Sequence, residues 1–101
     1  MIVVQVTYTV PQEYIATNKK RIFEFLHDFK TLDNAPFQYT VFQKDDLKTF
    51  VHLSQYQNKE IQERVLNTPR FLYFQAQRDA HLETEPLIEI LTAIGSSKEI
   101  F

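Results

Sequence analysis

An α+β sandwich, with helices packed on one face of a single sheet, is the fold class this sequence predicts. Three observations predict it. The hydrophobic period switches between 2 and about 3.6 residues in the order strand, helix, strand, strand, helix, strand. The 101 residues make one domain. Nine Phe and five Tyr, 14% of the chain, supply the large apolar area per residue that so small a core needs.

Residues 2–10 alternate, with Ile2, Val4, Val6, Tyr8 and Val10 on one side and Val3, Gln5, Thr7 and Thr9 on the other. β-branched residues dominate and Pro11 ends the strand. Residues 12–30 carry Ile15, Ile22, Phe25, Leu26 and Phe29 in one helical stripe, opposite Glu13, Lys20, Arg21, Glu24 and Asp28. A loop with Asp33-Asn34 and Pro36 leads to a second alternating segment, 37–44. Lys44-Asp45-Asp46 forms a turn into a third strand, 49–57, which makes a hairpin. Asn58 is a helix cap before Ile61, Val65 and Leu66. Asn67-Thr68-Pro69 interrupts that helix, Thr68 being a second cap and Pro69 the first position of a further segment to about Leu82. The apolar run Phe71-Leu72-Tyr73-Phe74 predicts burial on more than one side of it. Residues 86–94 form the last strand. The domain is expected to span 1–95, with a tail over 96–101.

Sorted by face, Val4, Val6, Phe37, Tyr39, Val41, Val51, Leu53, Ile88 and Ile90 form an apolar set expected under the helices. The opposite set is mixed: Gln5, Thr7, Gln38, Thr40, Phe42, His52, Ser54, Tyr56, Glu89 and Leu91. A face carrying Phe42, Tyr56 and Leu91 is too apolar to stand in water, so a second subunit or a ligand cavity is expected over it. The element order suits a ferredoxin-like βαββαβ sandwich with a four-stranded antiparallel sheet, whose first and third strands are central. His52 is then expected beside Gln5 or Thr7.

Composition excludes several classes. There is no Cys, so disulfides, thiolate metal sites and Cys nucleophiles are ruled out. A single Gly rules out Gly-rich phosphate loops. The net charge of −2, with 24% charged residues interspersed, gives no case for nucleic acid. No apolar run reaches the length of a membrane span, and the alternating N-terminus has no basic region of a signal peptide. Cytoplasmic location is the expectation. No His pair has metal-ligand spacing, so no metal is expected.

The stretch Ser54-Gln55-Tyr56, Asn58-Lys59-Glu60, Asn67-Thr68-Pro69-Arg70-Phe71, Phe74 and Pro86 resembles the antibiotic biosynthesis monooxygenase family of dimeric α+β barrels. The motif is short, about residues 53–75, whereas the element order matches over nearly the whole chain. The resemblance implies a homodimer whose two sheets form a barrel, with a pocket in each protomer. It also implies a cofactor-independent monooxygenase-like activity on a small aromatic or quinol-type substrate. The chain departs from the family at Val65, where a His is frequent, at Tyr56, where Trp is common, and at Ala35-Pro36, where a Gly is common.

His52 is the candidate catalytic base, with Tyr56 and Gln5 as orienting donors. Thr7, Thr40, Phe42, Phe71, Phe74 and Glu89 are the other candidate substrate-binding residues. Each has a structural alternative: His52 bonded to Thr or Tyr at a dimer interface, Glu89 at its rim, and Phe71 and Phe74 in the core. His27 and His81 sit at predicted helix ends. The alternative for the whole chain is a non-catalytic dimeric barrel that binds a small hydrophobic molecule.

Overall fold

The computed structural model describes residues 1–101. β-branched residues extend the chain into β1 (Ile2–Thr9), and after Pro11 a short 3₁₀ turn (Gln12–Tyr14) tips it into α1 (Ile15–Lys30). A hairpin follows, β2 (Phe37–Gln43) and β3 (Thr49–Tyr56), then α2 (Lys59–Leu66), α3 (Pro69–Asp79) and β4 (Leu87–Leu91). The sheet is antiparallel throughout in the order β2-β3-β1-β4, the ferredoxin-like arrangement.

Local chemistry sets the element ends. The Asp46 carboxylate accepts from Lys48 N, Thr49 N and Thr49 Oγ1 at 2.6–2.9 Å, which closes the hairpin turn and holds this carboxyl below its usual range. That turn places Leu47 at φ 65, a left-handed conformation that side chains resist. Asn58 Oδ1 accepts from Ile61 N and caps α2. Thr68 does not cap α3. Its hydroxyl turns back and donates to Val65 O, so the α3 N-terminus relies on Pro69 alone. β4 stops at Leu91 instead of Ile94, because Leu91 pairs with Val3 and β1 has only Ile2 left to offer beyond it.

Three burial expectations are corrected. Ile88 and Ile90, expected under the helices, are 64% and 75% exposed, because β4 is an edge strand that the helices do not reach over. α3 is buried on one side only: Phe71, Phe74 and Arg78 face inward, whereas Leu72 and Tyr73 are exposed and the Arg21 guanidinium lies over the Tyr73 ring. β3 has the opposite orientation to the one expected. The register sets His52 opposite Val6 and Val41, and Leu53 opposite Gln5 and Thr40. Directly paired residues share a face. Phe50, His52, Ser54 and Tyr56 therefore lie under the helices, and Val51 and Leu53 lie on the uncovered face. Hydrophobicity alone mis-sorts this strand because the polar atoms of His52 and Ser54 find partners inside the core.

The α1 stripe Asn18, Ile22, Phe25 and Phe29 covers that face together with α3. Phe25 is fully buried at the centre of the core. Its ring centroid lies 4.8–5.5 Å from those of Phe29, Tyr39, Phe71 and Phe74, in tilted and edge-on geometries that suit aromatic quadrupoles.

Candidate functional site

Between the covered face of the sheet and helices α2 and α3 lies a cavity of about 430 Å³. That volume suits a small molecule. Val4, Val6, Leu66, Phe71 and Leu82 give it an apolar wall, and Tyr39, Ser54, Tyr56 and Arg78 give it polar groups. Pro86 and Ile88 reach its rim from the β4 edge.

Behind the Tyr39 wall runs a buried hydrogen-bond chain. Asn18 Nδ2 donates to Tyr8 Oη (3.0 Å), Tyr8 Oη lies 2.8 Å from His52 Nε2, and His52 Nδ1 lies 2.7 Å from Tyr39 Oη. Each residue reaches the chain from a different element: α1 supplies Asn18, and the adjacent strands β1, β3 and β2 supply Tyr8, His52 and Tyr39. A neutral imidazole has one N–H donor and one acceptor nitrogen. His52 thus joins the Tyr8 and Tyr39 hydroxyls, donating from one ring nitrogen and accepting at the other, with the direction set by the tautomer.

Burial governs the charge states. It pushes His52 down to about 3, with the nearby Arg78 cation adding to the effect. Phe25 and Phe74 stack on the imidazole, at 6.2 and 5.5 Å between centroids. Burial also raises Tyr8 and Tyr39 well above the usual phenol range and pushes Tyr56 up to about 12. The site therefore holds a neutral histidine and three neutral phenols at any ordinary pH. Its one inner charge is Arg78, whose guanidinium lies 5.0 Å from the Tyr8 ring centroid and 5.5 Å from that of Phe74. Two buried polar atoms have no partner in the chain, Asn18 Oδ1 and Tyr56 Oη.

Tyr56 and Phe71 line the cavity, and Phe74 packs behind it against His52. His52 is buried and reaches the cavity only through Tyr39. Gln5, Thr7, Thr40, Phe42 and Glu89 lie on the other face of the sheet, so they cannot share a site with His52. Sequence reasoning missed Asn18, Tyr8, Tyr39 and Arg78 as site residues. The signal for Asn18 was its place in the run 15, 18, 22, 25, 29, and for Arg78 its place in the run 71, 74, 78. Both are polar residues in apolar helical stripes. No group of His, Asp or Glu is arranged to hold a metal ion, and no helix is long and apolar enough to cross a membrane.

No family model matches the sequence, and no curated protein matches it. Solved structures do match. An antibiotic biosynthesis monooxygenase superposes with a TM-score of 0.81 at 14% identity, covering 94% of this chain and 100% of that one. PA3566 from Pseudomonas aeruginosa gives 0.76 at 20%, covering 93% and 94%. SnoaB, a cofactor-independent oxygenase from Streptomyces nogalater, gives 0.74 at 16%, covering 97% of each chain. The chain has the fold of antibiotic biosynthesis monooxygenase structures over nearly its whole length. Identities this low carry the fold and no further.

Proposed function

We propose that the chain is a cofactor-independent, monooxygenase-like protein that holds a small aromatic or quinol-type substrate in the cavity between the sheet and α2–α3. The observation that carries this reading is Tyr39 at the cavity wall, with its hydroxyl held 2.7 Å from Nδ1 of the neutral His52. Its likeness in fold to a cofactor-independent oxygenase supports the reaction class. In such chemistry the substrate supplies every electron. A ring CH₂ tautomeric with a phenol becomes a carbonyl with one oxygen of O₂, and the other oxygen leaves with both hydrogens as water.

The electrostatics argue for a change in the role of His52. A phenol near its ordinary value of about 10 would have to protonate an imidazole held near 3, a gap on the order of 9 kcal/mol. Direct proton abstraction by His52 is thus disfavoured. We assign it as a positioning residue that fixes the Tyr39 hydroxyl, and Tyr39 as the group that donates to the developing oxyanion of the substrate. We also propose a homodimer joined through the uncovered sheet faces, and a cytoplasmic setting consistent with the absence of Cys.

Oxygen uptake with anthrone and with 1,4-dihydroxynaphthalene, corrected for autoxidation, tests the reading. The expected result is protein-dependent uptake that Tyr39→Phe lowers by about 10²-fold, the scale of one oxyanion donor. Full activity in Tyr39→Phe would remove it from the mechanism. A second reading is favoured by one observation: both His52 nitrogens are occupied and its ring is stacked on Phe25 and Phe74, as in a core. Under that reading the chain is a non-catalytic dimeric barrel that binds a small hydrophobic molecule. Native mass spectrometry showing retained small-molecule mass, with no oxygen uptake, would support it.

A further inference from the structure

The cavity carries a cation whose ion-pair partner lies toward the outside and leaves one of its nitrogens free. The Arg78 side chain is 8% exposed. Its Nε and Nη2 both donate to one oxygen of Asp79, at 3.1 and 2.9 Å, and Nη1 has no partner within the chain. Asp79 is 52% exposed and so lies toward the outside of this pair. Glu85, the other carboxylate on the cavity wall, is also exposed. Charge is therefore layered, with the cation inside and the carboxylates at the rim. Nη1 is thus a charged donor left without an acceptor in the chain, on a guanidinium that lines the cavity.

A second, independent observation lies on the same wall. Tyr56 is 1% exposed and lines the cavity; the Ser54 side chain beside it is the one group that offsets its burial, and within bonding geometry its hydroxyl has no partner. Burial keeps it protonated, so it is a donor awaiting an acceptor. The Ser54 hydroxyl beside it makes only a long bond of 3.3 Å to Val4 O. The polar wall of the cavity thus offers donors: Arg78 Nη1 and the Tyr56 hydroxyl, with the Tyr39 hydroxyl as a third.

We propose that the molecule bound in this cavity is an aromatic acid, with its carboxylate held by Arg78 and the Tyr56 hydroxyl and its ring against Phe71 and Leu66. The assignment rests on the cavity being the functional site, and it deepens that reading by naming the charge of the ligand. Asp79 leaves Nη1 without an acceptor, a carboxylate supplies one with a charge-assisted bond, and guanidinium recognises planar oxyanions.

Isothermal titration of the full chain with 1-hydroxy-2-naphthoate and with 1-naphthol, which differ only by the carboxylate, separates the possibilities. Wild type is expected to bind the acid at least tenfold more tightly than the naphthol. Arg78→Met should lower affinity for the acid at least tenfold and leave the naphthol within twofold, and Arg78→Lys should restore part of the preference. Lys20→Met, in the exposed basic groove on the outside of α1, should change neither. Should Arg78→Met fail to fold, Tyr56→Phe reads the other half of the site, with a loss confined to the acid. Equal wild-type affinity for the two probes would overturn the carboxylate assignment and leave the cavity reading standing. So would an equal loss in Lys20→Met. Binding of neither probe would remove both.

Discussion

The two faces of this sheet have similar polar content and opposite organisation. Under the helices, Tyr8, Tyr39, His52 and Asn18 bond to one another in a single chain, closed in by aromatic rings. On the other face Gln5, Thr7, Gln38 and Thr40 alternate with Val3, Val51, Leu53, Leu87 and Leu91, and none of these side chains bonds to another. The comparison teaches that polar residues on a strand do not mark its solvent side. What distinguishes the faces is whether the polar side chains bond to one another. A connected network, with only Asn18 Oδ1 and Tyr56 Oη left over, suits a pre-organised wall for a cavity, and an unconnected mixture suits an interface with a second copy.

The largest effect that separates the faces is on packing. Phe25→Ala should cost about 3–5 kcal/mol in urea unfolding, because five aromatic rings, counting that of His52, meet its own and cannot collapse together. Phe42→Ala, on the uncovered face and 53% exposed, should change the stability of the protomer far less. A comparable loss at Phe42 would mean that the second face also packs against its own chain.

The next effect is in pH. His52 is held near 3 in the folded protein, below its ordinary value of 6.5. The unfolded chain therefore binds more protons between those values. The stability contributed by neutral His52 is complete above about 6.5 and is lost progressively as pH falls toward 3. Unfolding free energies from urea titrations at pH 7.0 and 5.0 should differ by about 2 kcal/mol in wild type. His52→Gln should flatten this difference whatever its overall stability. An unchanged slope would show that the imidazole is not buried as a neutral group.

The smallest effect on the protomer should come from Leu53→Lys, at the centre of the uncovered face opposite Gln5 and Thr40. Circular dichroism is expected to be unchanged while sedimentation velocity shifts from dimer to monomer. A wild-type chain that sediments as a monomer at tens of micromolar would remove the interface assignment.

Element order and sheet type were legible in the sequence, because period-2 segments rich in Val, Ile and Thr and period-3.6 segments such as Ile15–Phe29 are strong signals. The facing of β3 was not. Phe50, His52, Ser54 and Tyr56 alternate with Val51, Leu53 and Gln55, and neither set is clearly the apolar one. Only pairing with β1 and β2 decides between them, and pairing is a tertiary fact. That single inversion grouped His52 with Gln5, Thr7, Thr40, Phe42 and Glu89, which lie on the opposite face of the sheet. Tyr56 and Phe71 lie on the cavity wall and His52 behind Tyr39, since these were chosen by residue type and not by face. Arg78 and Asn18 were hidden in plain stripes, since a polar residue inside an apolar helical face reads as noise until its partners are seen.

The most direct test of the two-faced account is methyl NMR of valine-labelled protein titrated with 1-naphthol. Val4 and Val6 face the cavity, and Val3 and Val51 face the other way. The account predicts that the Val4 and Val6 methyl resonances move on titration while those of Val3 and Val51 stay in place. Movement of Val3 and Val51 with Val4 and Val6 unmoved would put the binding site on the uncovered face and contradict it.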